Sequence, residues 1–133
     1  MKFLLDTNVC VGVLRGRIPA LAERLKAAAP EDVALCSVVV GELLFGARKS
    51  AQRERNLAAV RLFVSKFDSL PFDNEAAECY SEIRAQLDAI GLPIGPNDLM
   101  IASIARVKQL VLITHNVSEF GRVQGLRVED WEV

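Results

Sequence analysis

The chain has 133 residues, of which 51% are hydrophobic and 25% charged, with a formal net charge of −1 at pH 7. Such a chain suits a single domain, residues 1–133, built around one core, and the composition is that of an ordinary globular protein rather than a disordered or fibrous one. No apolar run approaches the roughly 20 residues that a membrane helix needs. The near-neutral balance neither requires nor excludes a nucleic-acid partner, so the placement of charge matters more than its sum.

Lys2-Phe3-Leu4-Leu5 is a short apolar run that stops at Asp6-Thr7-Asn8. It reads as a buried strand whose carboxyl end carries a carboxylate, a hydroxyl and an amide. Asp6 interrupts the apolar start before a signal-peptide core can form, so a cytosolic protein is expected. Thr7 or Asn8 can cap the helix that follows, which reads as Thr7 to Leu14. Gly16 and Pro19 punctuate the chain before a second helix, Ile18 to Ala29, with Leu21 and Leu25 four residues apart. Val33 to Cys36 is a second short apolar run. From Val38 a helix follows, apolar around most of its circumference, with Glu42 in its second turn. Ala51 to Lys66 reads as a long amphipathic helix able to form a hairpin with it.

Ser69 to Phe72 is a short extended piece that Pro71 confines to a sheet edge. Asp73 or Asn74 can cap a helix from Glu75 to Ile90, closed by Gly91. Two prolines and a glycine make Leu92 to Pro96 a rigid loop, after which Asn97 or Asp98 starts a helix through Val107. Leu110 to Thr114 is the strongest strand signal, and it ends in His115-Asn116. Leu126 to Val128 is a last short strand. Cys10, Cys36 and Cys79 are odd in number and make no C-x-x-C pair, so they read as small buried apolar residues.

Strands alternate with helices throughout, which implies a parallel sheet between helical layers. In such a sheet functional groups gather beyond the carboxyl ends of the strands. Asp6, Glu42, Asp98 and Asn116 all stand at places of that kind. Three carboxylates in one cleft repel one another unless protons or a cation intervene. An all-oxygen donor set favours magnesium or manganese over zinc, and suits phosphodiester hydrolysis. Each residue also has a plainer reading. Asp6 and Asp98 can be helix caps and Asn116 can hold a turn. Glu42 resists that reading because no cap position is open to it. Spacing leaves the joint catalytic reading and the separate structural ones both open.

Four motifs then fall in order: Leu-Leu-Asp-Thr-Asn, Val-Val-Gly-Glu-Leu with Gly46-Ala47, Gly-Pro-Asn-Asp-Leu-Met-Ile-Ala, and Thr-His-Asn-Val-Ser-Glu-Phe. Together with the closing Leu126 to Trp131 segment, they resemble the PIN-domain ribonucleases, and among these the VapC toxins of bacterial type II toxin–antitoxin pairs. The resemblance implies a three-layer α/β/α sandwich with a central, mostly parallel sheet. It implies a magnesium- or manganese-dependent endoribonuclease whose acidic quartet maps to Asp6, Glu42, Asp98 and the position of Asn116. The first three are the implied metal ligands. Asn116 replaces the aspartate of many PIN domains, removing one anionic ligand, so it can orient a water or a carboxylate. The implied substrate is structured RNA, such as a tRNA and its anticodon loop. Since look-alikes within the family act on initiator tRNA, the resemblance extends the expectation to that substrate. The implied partners are a VapB-type antitoxin, a second copy in a homodimer, and operator DNA contacted through the antitoxin.

Thr7 and Thr114 are candidate donors to the ligating carboxylates. Glu119 stands near enough in sequence to add a charge. His115, the only histidine, fits an RNA contact or a loop filler better than a general base. Arg48, Lys49, Arg53 and Arg55 form a basic set that can track phosphates or simply face solvent. Phe45 and Phe63 can stack bases, although helical aromatics more often face the core. A phospho-receiver domain also puts aspartates at strand ends, but no lysine follows the last long strand here. An inactive interaction module with the same fold is the other alternative.

Overall fold

A computed structural model describes residues 1–133. β1 (Phe3–Leu5) runs directly into α1 (Thr7–Arg15), and α2 (Pro19–Ala27) follows. Gly16 ends α1 at φ 66°, a left-handed turn that a residue without a Cβ makes freely. A 3-10 turn at Pro30–Asp32 leads into β2 (Val33–Cys36) and α3 (Ser37–Arg48). Then come α4 (Arg53–Val64), β3 (Asp68–Leu70), α5 (Asn74–Ala89) and α6 (Pro96–Val107). β4 (Val111–Ile113), the one-turn α7 (Val117–Phe120) and β5 (Val128–Glu129) complete the chain.

The five strands form one all-parallel sheet in the order β3-β2-β1-β4-β5. The alternation of strands and helices therefore produces the α/β/α sandwich that the sequence implies. Leu4, Leu5, Ala34, Leu35, Leu112 and Ile113 are fully buried, as expected for central strands covered on both faces. They join one cluster of 30 buried hydrophobic residues that also takes in the inner faces of the helices. The three cysteines are free and lie in this core. The polar edge strand β3 exposes Asp68 and Ser69, and Pro71 follows it as the edge reading requires. No helix is long and apolar enough to cross a membrane.

Two elements differ from what local sequence suggests. α3 is not covered on most faces. It buries Val39, Leu43 and Ala47, whereas Gly41 and Phe45 are open to solvent. The last strand is shorter and later than Leu126 to Val128, pairing with β4 through Val128 and Glu129 alone. It is held by what comes after it. Trp131 is buried edge-on against Phe3 of β1, with centroids 5.0 Å apart, and its indole N–H donates to Glu129 Oε1 at 3.0 Å. The aromatic contact supplies area that two paired residues cannot.

Leu112 lies at the centre of β4 with no exposed surface. Leu112→Ala is expected to lower unfolding free energy by about 2–5 kcal/mol in urea titration. Leu62→Ala, at a position 64% exposed on α4, should stay within about 0.5 kcal/mol of wild type.

Candidate active site

The strand order fixes where a site can form. From β1 the sheet grows through β2 to β3 on one side, and through β4 to β5 on the other. That reversal opens a crevice beyond the carboxyl ends of β1 and β4. Asp6 follows β1 there, and Thr114, His115 and Asn116 follow β4.

Asp6 is 5% exposed. It is itself the N-cap of α1, accepting the Val9 N–H at 2.8 Å. Thr7 or Asn8 would have been equally good caps by composition. Asp6 takes the place because its extended backbone joins strand to helix without a spacer, and because the Thr7 hydroxyl is engaged elsewhere. That hydroxyl donates to Glu42 Oε1 at 2.5 Å. Glu42, on α3, also accepts the Asn97 side-chain amide at 3.2 Å through Oε2. Asp98 stands in the first turn of α6 and is not a cap. Gly95 occupies the cap position and Pro96 the first helical one, where its missing N–H is not needed. The rigid loop thus starts the helix and leaves the Asp98 carboxylate uncommitted, near the positive end of the helix dipole.

Burial pushes the Asp6 carboxyl above its ordinary range, against the hydrogen bonds from Thr114 and the Val9 N–H, and the charges of Glu132 and Glu42 push the same way. Burial likewise raises Asp98, helped by the charges of Glu119, Glu42 and Asp6, up to about 6. The structure therefore brings Asp6, Glu42 and Asp98 within electrostatic reach of one another. Asn116 lies at the edge of this group. Its N–H donates to Thr114 Oγ1 at 3.0 Å, and its side-chain amide donates to Glu119. It connects to the acids through Glu119 on one side and Thr114 on the other.

Two neighbours escaped the sequence reading. Asn97 is masked by the helix-start pattern around it, although its place beside Asp98 in the Gly-Pro-Asn-Asp motif was a usable signal. Glu132 acts on Asp6 because Trp131 folds the chain end back over β1, and no local pattern announces that. Glu132 also shares a cluster with His115 and Asp130, in which His115 Nδ1 lies 3.0 Å from Asp130 Oδ2 and 3.7 Å from Glu132 Oε2.

The donors that Asp6, Glu42 and Asp98 offer are oxygen alone. Cys10 and Cys36 lie beneath the crevice in the core, and burial pushes both thiols up, Cys36 to about 11, so neither supplies a thiolate. Three mutually repelling carboxylates with hydrogen-bonded flanks fit a hard divalent cation such as magnesium or manganese.

A family model described as PIN domain matches residues 3–126. The chain belongs to the PIN domain family. This PIN domain is 44% identical to the tRNA(fMet)-specific endonuclease VapC of Shigella flexneri over 131 residues, 98% of each chain. It is 35% identical to Ribonuclease VapC2 of Rickettsia felis over 133 residues, 99% of each. Among solved structures, it superposes on the DNA-bound VapBC of Salmonella typhimurium with a TM-score of 0.93, at 40% identity and 98% coverage of both chains.

The raised carboxyls of this PIN domain make stability depend on pH. A carboxyl with a raised folded pKa favours folding below its unfolded value, and that contribution is lost as pH rises through the folded value. For Asp98 the window runs from 3.8 to about 6. In EDTA, the melting temperature should fall as pH climbs through that window. Magnesium or manganese should restore it at pH 7. Asp98→Asn should flatten both responses; an unchanged profile in scanning calorimetry would count against the arrangement.

Proposed function

We propose that this PIN domain is a divalent-cation-dependent endoribonuclease, the toxin of a type II toxin–antitoxin pair, and that it arrests translation by cleaving tRNA. The observation that carries the reading is the convergence of Asp6, Glu42 and Asp98, with Asp98 lifted to about 6, in a chain whose full-length relatives are named as ribonucleases. Initiator tRNA is the preferred substrate on this reading, because relatives at 44% and 40% identity are named for it. An inactive interaction module would have no reason to gather three carboxylates in one crevice.

Asp6, Glu42 and Asp98 would hold the ion. Bound there, magnesium or manganese supplies positive charge against a phosphodiester and acidifies a water molecule. The remaining work belongs to the chain. Thr7 and Asn97 both donate to Glu42, fixing its carboxylate in the crevice. Asp6 is pinned by the start of α1, so its oxygens cannot swing out of the crevice. Asn116 donates to Glu119 and holds that charge beside Asp98 without adding a fourth acid. In-line attack by water then needs only that the substrate phosphate be seated among these groups.

The partners follow from the same relatives. A VapB-type antitoxin would silence the chain, since the neighbours were solved as VapBC complexes, two of them with DNA. Operator DNA would be reached through that antitoxin. A homodimer in the cytoplasm completes the reading.

The test is cleavage of a total tRNA pool by the purified chain, with magnesium, with manganese and with EDTA. Discrete fragments should need the metal and disappear in Asp6→Asn and in Asp98→Asn. Asn97→Ala should slow cleavage about 10-fold or more through the loosened Glu42. Fragments that persist in EDTA, or in both aspartate variants, would refute the assignment.

A further inference from the structure

α3 shows the site a second face. Val38, Glu42, Phe45 and Lys49 follow one another at spacings of four, three and four, so they form one stripe along the helix. The core residues Val39, Leu43 and Ala47 lie on another side. Phe45 is 63% exposed, whereas Phe63 on α4 is buried. Lys49 Nζ stands 5.2 Å from the centroid of the Phe45 ring. Both side chains line a cleft of about 650 Å³ whose walls also include Thr7, Glu42 and Asn97. The exposed ring and a proposed ligand carboxylate thus share one opening.

Gly41 lines the same cleft, and a Cβ added there would meet nothing within 4 Å. Packing does not ask for glycine at this place, and a helix interior disfavours it relative to alanine. What the missing side chain provides is width beside Glu42 and Phe45.

We propose that Phe45 and Lys49 form a nucleotide subsite, in which an unpaired base of the substrate RNA stacks on the Phe45 ring and the Lys49 ammonium pairs with a neighbouring phosphate. The inference rests on the endoribonuclease reading and gives it a specificity. A ring on the outside of a helix can stack only on a base that has left a duplex. Lys49 lies seven residues beyond Glu42, about 10 Å along the helix axis. A strand whose phosphate sits at the acids therefore passes over the ring before it meets the ammonium. The ammonium already lies over the aromatic face, so one side chain can hold both ring and phosphate in register. The substrate selected is a nucleotide in a loop, adjacent to the cut, rather than one in a stem.

The experiment uses the full chain with an RNA hairpin carrying 2-aminopurine in its loop, and a duplex of matching length as control. Wild type should quench the loop fluorophore and prefer the hairpin. Phe45→Ala should lose the quenching and bind the hairpin about 10-fold more weakly, at an unchanged melting temperature, and Phe45→Trp should retain both. In cleavage assays Phe45→Ala should raise KM with kcat nearly unchanged, Lys49→Gln should do the same more mildly, and Gly41→Ala should raise KM in a fold at least as stable. Wild-type quenching and KM in Phe45→Ala would overturn the subsite while leaving Asp98-dependent cleavage, and so the nuclease, standing. Phe45-dependent quenching in a chain that cleaves no RNA would sink the nuclease reading and keep the subsite. Normal RNA binding by Phe45→Ala, with loss of affinity for an antitoxin helix, would assign the ring to a protein partner and overturn the proposal.

Discussion

Repulsion among carboxylates at one edge of the sheet is the constraint that the rest of the structure answers. Asp6 is almost fully buried, and a lone ionised group there would be costly. Two donors, the Val9 N–H and Thr114, offset part of that cost. Glu42 has two of its own, from Thr7 and Asn97. Asp98 has no compensating hydrogen bond, and burial, helped by the charges of Glu119, Glu42 and Asp6, drives it up to about 6. The arrangement is therefore graded. Two acids are fixed in place by protein donors, and the third is left without one. Asn116 fits this gradation, since a fourth acid at its place would have added repulsion where an amide instead ties down Glu119.

The topology explains how four distant segments supply these groups. β1 is the central strand, so the residue after it lies at the middle of the sheet edge. β2 and β4 flank it, and the connections leaving them pass on either side of the crevice. α3 follows β2 and delivers Glu42, and α6 precedes β4 and delivers Asp98 from its opposite end. One acid thus comes from the second turn of an outgoing helix and the other from the first turn of an incoming one. The strands are only two to four residues long, so helix packing must hold their ends. The 18 residue positions of partial burial around the core, Tyr80, Ile94 and Val107 among them, show how far that packing extends beyond the sheet.

Much of this was legible in the chain because short apolar runs that end in polar residues have few other readings. Asp6 and Asn116 were visible for that reason, and so was the parallel sheet. Asp98 was visible as a candidate acid, but its local pattern also allowed a plain cap. The pattern Pro-Asn-Asp reads as a helix start, and only the position of Pro96 inside the helix shows that the cap belongs to Gly95. Glu132 was invisible. Its approach to Asp6 depends on an aromatic contact between residues near opposite ends of the chain, Phe3 and Trp131, and contacts of that sequence separation leave no local period. Phe45 and Phe63 were indistinguishable, since each sits mid-helix among mixed neighbours. The packing of α3 against α4 decides which ring faces inward.

That decision has a consequence for the helix as a whole. A helix apolar around most of its circumference ordinarily belongs in a core. α3 is apolar on two sides for two reasons. Val39, Leu43 and Ala47 anchor it beneath the sheet edge, which fixes the position of Glu42 through rigid backbone rather than through a loop. Phe45, with Gly41 beside it, contributes nothing to that anchoring and leaves apolar surface in water. Exposed aromatic area of this kind lowers solubility and gains no packing. Its place next to the acids suits a ligand that covers it. The same helix that sets the acid in place therefore also sets the distance from acid to ring. Substrate position along the cleft is then determined by the pitch of one rigid element, and a shift of either group by a single residue would turn it from the cleft toward the core or the solvent.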